Sequence, residues 1–411
     1  MSKTILIVGT YDTKDDELRF VEGVIKDQGG QTQSMDVSVL KDPKSPVDIS
    51  KHDVAAAAGK TIDEVIALGD ENHAMQAMAT GASTLASRLR AEGKIDGVII
   101  LGGTMGTDLA LDICNALPIG VPKYIVSTVS FSPLLPPERI PADVQMILWA
   151  GGLYGLNAIC KSSLSQAAGA VLGAAKAVHT PDLSKPMVGM TSFGKTIMRY
   201  MVDLKPALEE RGFEVAVFHA TGMGGRAFED LAAQGRFVCV MDFAIQEVVN
   251  HAFGSFVSAG PDRLTAAGRM GIPQIVGTGC NDLIDIVGWH TLDPRWQDYP
   301  THAHNRLISS IVLGPKERAE IARTLGKKLS AAKGPTALML PLRGSHEWER
   351  EGEELHDAEG IAAFNAAMIE ACPDAVKLHQ LDAHINDPEF VTAVLDVFDG
   401  WCETGVVQVV S

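Results

Sequence analysis

The chain has 411 residues, long enough for two domains with full cores, and its 46% hydrophobic and 21% charged residues are the balance of a globular protein. A net charge of −16 repels nucleic acid and anionic membrane surfaces, which excludes both as general partners but allows a local basic pocket. No apolar stretch reaches transmembrane length unbroken, Met1-Ser2-Lys3 leads straight into a strand rather than a signal segment, and six cysteines are scattered without a C-x-x-C, so the expectation is a cytoplasmic protein with buried thiols.

Residues 4–9, "TILIVG", predict a buried strand, and 14–28 a helix. A strand over 32–39, an Ala- and Met-rich helix over 71–92, a strand over 95–101, a helix from about 106 and a strand over 123–127 follow. "VQMILWA" (144–150) is a further strand and 156–178 a long helix. Over 179–187, "HTPDLSKPM" carries two prolines and no periodicity, which places a domain boundary and divides the chain into 1–183 and 184–411. Beyond it the alternation restarts: strand 187–190, helix 195–210, strand 213–220, helix 225–234, strands at 237–242 and 272–279, helix 315–331, strand 336–340, helix 358–371, strand 375–379 and helix 388–399. The last helix is a candidate to pack back on the first domain. Such alternation predicts an α/β protein of two Rossmann-like, doubly wound domains with mainly parallel sheets.

The halves echo each other. "VPKYIVSTVS" (121–130) matches "IPQIVGTGCN" (272–281), and "LGGTMGTDLA" faintly matches "ATGMGGRAFEDLA". Two similar units would face each other across a cleft at the carboxyl ends of their strands, where open α/β folds bind ligands.

The first strand-to-helix turn, "VGTYDTKDDEL" (8–18), gathers Thr10, Asp12, Thr13 and Lys14 at a helix N-terminus, where backbone N–H groups attract phosphate. Lys14 could pair with that phosphate and Asp12 could hold a magnesium ion. The plainer reading is that Asp12 or Thr13 caps the helix. "LGGTMGT" (101–107) holds the same position two strands later. Gly102, Gly103 and Gly106 let backbone approach an anion, and Thr104 and Thr107 can donate to it. A tight turn needing positive φ explains one such glycine but not three. Ser127 and Thr128 end a third strand.

In the second half, "GMTSFGKT" (189–196) fits G-x-x-x-x-G-K-[ST], but Phe193 and the lack of small residues set it apart from a phosphate loop; Lys195 could still touch an anion. "HATGMGGRAFEDL" (219–231) offers His219, a bare turn at Gly222, Gly224 and Gly225, and Arg226, a set suited to a carboxylate or phosphate substrate or to a structural turn with a surface ion pair. "THAHN" (301–305) puts His302 and His304 two apart; on a strand both would face one side and could bind a metal or serve as acid and base, though no Cys or acidic partner sits at metal-ligand spacing.

Taken in order, "GTYDTKDDELRF", "LGGTMGT", "LPIGVPKYIVST", "FHATGMGGRAFEDL", "HAHN" and "HINDPEF" resemble the family of the ATP-binding domain of the plant tomato mosaic virus resistance protein and its uncharacterised bacterial relatives. The resemblance spans almost the whole chain. It implies two Rossmann-like subdomains, ATP bound with magnesium by the first, and a homodimer. It also implies nucleotide contacts at Thr10, Asp12, Lys14, Gly102, Gly103, Thr104, Gly106, Thr107, Ser127 and Thr128. Lys195 is a local variant, since the family's loop there need not carry lysine.

Three functions follow as expectations. The first is an ATP- and Mg2+-dependent enzyme on a small anionic metabolite, with phosphoryl or acyl-phosphate chemistry, the substrate near His219, Gly222, Gly224, Gly225 and Lys195, and His302, His304 and Arg226 as catalytic candidates. The second is a nucleotide-gated binding module without turnover. The third is an enzyme for a sugar acid or sugar phosphate that uses no ATP.

Overall fold

The computed structural model describes residues 2–179, 184–288 and 291–408; for Lys195 and Thr196 it describes the backbone alone. The chain forms two compact units, Met1–Pro181 and Asp182–Ser411.

The first unit runs β1 (Thr4–Gly9), α1 (Asp15–Asp27), β2 (Gln31–Asp36), α2 (Lys51–Ala57), α3 (Ile62–Ile66), α4 (Glu71–Ala91), β3 (Gly97–Gly102), α5 (Thr104–Ala116), β4 (Lys123–Ser127), β5 (Val144–Leu148) and α6 (Ala158–Ala177). Its five strands pair in the order β2-β1-β3-β4-β5, all parallel. A parallel sheet covered on both faces needs unbroken apolar runs, and "ILIV" and "VIIL" supply them. Side chains alternate between faces: Leu6, Val8, Val98 and Ile100 join the core beneath α4 and α5, while Ile5, Ile7, Ile99 and Leu101 join the core beneath α1 and α6.

The second unit runs β6 (Met187–Ser192), α7 (Arg199–Glu210), β7 (Glu214–His219), α8 (Met223–Ala233), β8 (Cys239–Ala244), α9 (Gln246–Ala252), α10 (Ala266–Met270), β9 (Gln274–Gly279), β10 (Leu283–Val287), β11 (Thr301–Ala303), β12 (Ile308–Val312), α11 (Pro315–Leu329), β13 (Thr336–Pro341), α12 (Ala358–Ala371), β14 (Lys377–Leu381) and α13 (Pro388–Glu403). Six strands form a parallel sheet, β14-β13-β9-β8-β6-β7, and β10-β12-β11 form a small antiparallel one. α13 packs on α7 within this unit through Phe213–Phe398 ring contact and the bidentate Arg211–Asp399 pair.

Read from β7 inward, the second sheet repeats the strand order of the first: β7, β6, β8 and β9 stand where β2, β1, β3 and β4 do. The match of 121–130 with 272–281 is therefore in register, since it equates β4 with β9. The match of "LGGTMGTDLA" with "ATGMGGRAFEDLA" is not: one follows β3 and the other β7, the counterpart of β2. Glycine-rich turns after strands resemble one another whatever their place.

Two boundaries moved for local reasons. β2 stops at Asp36 rather than running to 39, because its carboxylate accepts from Ser38 N and Oγ and from Tyr11 N and turns the chain. α5 begins at Thr104 rather than at about 106, so Thr104 and Met105 lie in the helix rather than in the loop before it.

Candidate functional site

β1 lies between β2 and β3, so the chain leaves β1 for one face of the sheet and leaves β3 for the other. α1 packs with α6 on one side and α4 with α5 on the opposite side. At such a switch point the two strand-to-helix loops part and leave a crevice. A cavity of about 270 Å3 fills it, lined by Gly9, Thr10, Asp12, Thr13 and Lys14 from the first loop and Gly102, Gly103 and Gly106 from the second. Its other wall is apolar: Val39, Leu40, Met75, Met105, Leu109 and Tyr154. Leu40 and Tyr154 are exposed at the rim.

Neither Asp12 nor Thr13 caps α1. Lys14 is the N-cap and makes no side-chain cap; its Nζ donates to Thr10 Oγ1 and Thr13 Oγ1, both at 3.3 Å, and pairs with no carboxylate among the described residues. Asp12 Oδ2 accepts from Lys41 N, while its Oδ1 is buried without a partner. Ser50, Thr61, Asp70 and Asn157 cap α2, α3, α4 and α6. The capped α4 reaches the cavity through Glu71 and Met75; the two α-helices of this unit without a side-chain cap, α1 and α5, also begin at it, through Lys14 and through Met105 and Gly106. Their charges differ. α1 opens with Asp15, Asp16 and Glu17, whereas α5 has no acidic residue in its first turn. An anion is therefore drawn to the α5 end.

None of Gly102, Gly103 and Gly106 has a positive φ. Gly102 is needed for close approach, because a Cβ there would sit 2.5 Å from the Gly106 backbone. Gly103 and Gly106 face no such demand: a Cβ would meet Thr128 Oγ1 at 3.8 Å or Leu101 O at 3.6 Å. Thr107 and Ser127 are fully buried and bonded to each other at 2.6 Å, with Thr107 Oγ1 also donating to Gly103 O. They brace the turn from behind instead of lining the cavity, because a hydroxyl in the second half of a helical turn points back at the preceding carbonyl. Thr104 is exposed and Thr128 half-buried beside Gly103.

The glycine turn of the second unit does something else. The N–H groups of Gly222 and Gly225 donate to Glu247 Oε1 at 2.5 and 3.0 Å, and a Cβ on Gly224 would collide with His219 O. An internal carboxylate thus takes the place expected for a substrate anion. Arg226 pairs with Asp230 at 3.3 Å along α8 and does not line the cavity that holds His219. Gly189 lies inside β6, where a Cβ would sit 2.8 Å from the Phe237 ring, so the first glycine of the pattern belongs to the strand and not to a phosphate-wrapping loop. The Lys195 side chain lies outside the described residues.

His219 and His304 do converge. They line a cavity of about 580 Å3 with Phe193, Gly194, Thr221, Asp285, Asn305, Ser310 and Trp348. His302 on β11 and His304 just beyond it both pack on Trp348, with ring centroids 4.2 and 5.7 Å away. Burial, and then the neighbouring His304, hold the His219 imidazole below its ordinary range. Asp285 is buried at this cavity, accepting from Ser310 Oγ at 2.8 Å and Asn250 Nδ2 at 3.2 Å. Burial pushes its carboxyl up to about 6, against the draw of those donors. An acid that holds its proton more tightly when folded stabilises the native state fully below its unfolded value of 3.8, and that contribution is lost as pH rises through about 6. Asp285→Asn is expected to remove up to about 3 kcal/mol of this pH dependence. Urea midpoints of both proteins at pH 4 and pH 7 check it: an unchanged slope would show that Asp285 titrates normally.

Two buried charge clusters had no sequence signal. Arg263, fully buried, meets Asp242, Glu247 and Glu229. Arg318, fully buried, meets Glu349, Asp282 and, more loosely, Asp357. Asp282, His346 and Glu349 are the one set of three carboxylate or imidazole groups among the described residues close enough to share an ion. The Arg318 guanidinium already sits among them, so the cluster is balanced without a metal. Burial opposes the charge on His346, but Asp282 beside it raises its pKa.

Glu71, Met75 and Tyr154 in the first cavity and Phe193, Asp285 and Trp348 in the second escaped sequence reading. Asp285 had a signal, an acid within the apolar run "LIDIV"; Tyr154 and Met75 had none, since apolar positions read as core. No helix among the described residues is long and apolar enough to cross a membrane. Among them, Cys114, Cys160, Cys239 and Cys280 are buried free thiols.

Comparison with known proteins places this geometry. Residues 3–180 match the Uncharacterised protein family (UPF0261) N-terminal domain and residues 185–402 its C-terminal domain. A UPF0261 protein of Brucella melitensis is 52% identical over 406 residues, 99% of this chain and 97% of that one. The ToMV resistance protein Tm-1(GCR237) of Solanum lycopersicum is 29% identical over 97% of this chain and 55% of its own length. Among solved structures, a putative UDP-N-acetylglucosamine 2-epimerase from Listeria monocytogenes aligns with 10% identity and a TM-score of 0.21, over 67% of this chain and 79% of that one. The protein carrying these two switch-point sheets belongs to the UPF0261 family.

Proposed function

We propose that the first unit binds ATP with magnesium in the β1/β3 crevice. The observation that carries this reading is the pair of uncapped helices: α2, α3, α4 and α6 satisfy a first-turn N–H with a side chain, while α1 and α5, which begin at the cavity through Lys14 and Gly106, do not. Orphan N–H groups need acceptors, and phosphate oxygens supply them. The bare backbone at Gly103 and Gly106 admits the phosphates, and the unpaired Lys14 lines the same space. The apolar wall of Val39, Leu40, Met75 and Tyr154 suits a flat base. Asp12, with one oxygen unused, supplies the single carboxylate that a phosphate-bound magnesium ion takes.

Titration calorimetry with ATP and Mg2+ tests the reading. Lys14→Ala should weaken binding roughly thirtyfold, the equivalent of on the order of 2 kcal/mol for a charge-assisted contact. Absence of binding to the wild type, or full affinity in the variant, would remove the assignment. ADP release in the presence of small hydroxyl or carboxylate acceptors then separates a phosphoryl-transfer enzyme from a module in which the nucleotide only gates binding.

A further inference from the structure

The cavity of the second unit lies at the carboxyl ends of β6 and β7, against the small antiparallel sheet. Its chemistry is distinct from that of the first. Polar groups gather on one side: the Asp285 carboxyl and Ser310 hydroxyl, both nearly inaccessible, with Thr221 and Asn305 nearer the surface. Rings stand around them: Phe193 with His219 at 5.6 Å, and Trp348 with His304 at 5.7 Å. None of the described lining side chains is Lys or Arg.

We propose that this cavity is a second ligand site, independent of the nucleotide reading, that takes a small neutral polyhydroxylated molecule of the sugar class. A buried carboxyl with neighbouring hydroxyls matches an array of ligand hydroxyls, each of which both donates and accepts. Aromatic planes match the apolar C–H face that such a molecule presents on its other side. A phosphate or carboxylate, in contrast, would meet a buried acid offset, among the described lining side chains, only by imidazoles. The volume of about 580 Å3 lies within the range of ligand sites. Asp285 Oδ1 accepts from Ser310 Oγ and Oδ2 from Asn250 Nδ2, which fixes the carboxyl at the cavity that it lines. Burial also keeps part of the Asp285 population protonated near neutral pH, so the group can donate as well as accept.

The test uses the full chain and a panel of D-aldohexoses, D-aldopentoses and their alditols, with D-glucose 6-phosphate and D-ribose 5-phosphate as anionic members. Thermal melts find the binders, and tryptophan fluorescence gives affinities. At least one neutral member should raise the melting temperature. Trp348→Ala should weaken its binding about tenfold or more. Thr221→Leu, at an exposed position that leaves the core untouched, should block it with an unchanged apo melt, which keeps the test decisive if Trp348→Ala fails to fold. Binding of the phosphorylated members alone, of no member, or of a neutral sugar with full affinity for Thr221→Leu would each overturn the proposal.

Discussion

Arg263→Met is expected to destabilise the protein by about 3–5 kcal/mol, the cost of leaving buried carboxylates without their cation. Arg263 is fully buried; its Nη1 and Nη2 reach Asp242 at 2.5 and 2.8 Å, its Nε reaches Glu247 at 2.7 Å, and Nη2 also donates to Ala244 O. The carboxylates are anchored in turn. Glu247 holds the N–H groups of Gly222 and Gly225, Asp242 accepts from Thr191 Oγ1, and Glu229 accepts from the N–H groups of Leu264, Thr265 and Ala266. One guanidinium therefore ties together the ends of β6 and β8 and the starts of α8 and α10. Burial pushes the Glu229 and Glu247 carboxyls up, and Arg263 draws them down. Without it, all three must protonate or the elements must separate. Arg263→Lys keeps the charge but loses the fork, and should fall between the two. Urea unfolding at neutral pH measures both. A loss under 1 kcal/mol for the methionine variant would mean that water relieves the cluster.

Gly106→Val is expected to abolish ATP binding while the apo protein melts as the wild type does. The site is the third residue of α5, and an added Cβ would meet only Leu101 O, at an ordinary 3.6 Å. Replacing a helical glycine contributes up to about 1 kcal/mol, of which β-branching returns roughly half, so stability should be nearly unchanged. The valine methyls enter the cavity that Gly106 lines. Gly102→Ala provides the contrast: its methyl would strike the Gly106 backbone, and stability should fall first. Calorimetric titration and thermal melts of the two variants separate a glycine kept for a ligand from one kept for packing. Retained ATP affinity in Gly106→Val would place the nucleotide elsewhere.

The parallel sheets were legible in sequence because doubly covered strands such as β1 and β3 are continuous apolar runs ending in glycine. α2 and α3 were not assigned, although Ser50 with Asp53 and Thr61 with Glu64 form capping boxes whose spacing is visible in the sequence. The antiparallel strands escaped because β11 has three residues and β10 carries a buried acid. The first-unit site was half legible. Its loops announce themselves through Thr10, Asp12, Lys14 and three glycines, whereas the apolar wall is indistinguishable from core. The second glycine turn misled because Glu247, the anion it holds, lies more than twenty residues downstream and meets it only in the folded chain.

The bare starts of α1 and α5 leave the fold less stable than its own chemistry allows. Aspartate or serine at position 14 would cap α1, worth roughly 1 kcal/mol, and aspartate at 103 a few tenths more. On the proposed nucleotide reading, both would set an oxygen where the phosphate oxygens belong. Selection for tolerance to heat and selection for ligand affinity would then pull the same two residues in opposite directions, and a stabilised variant obtained without a binding screen would accumulate its gains here first.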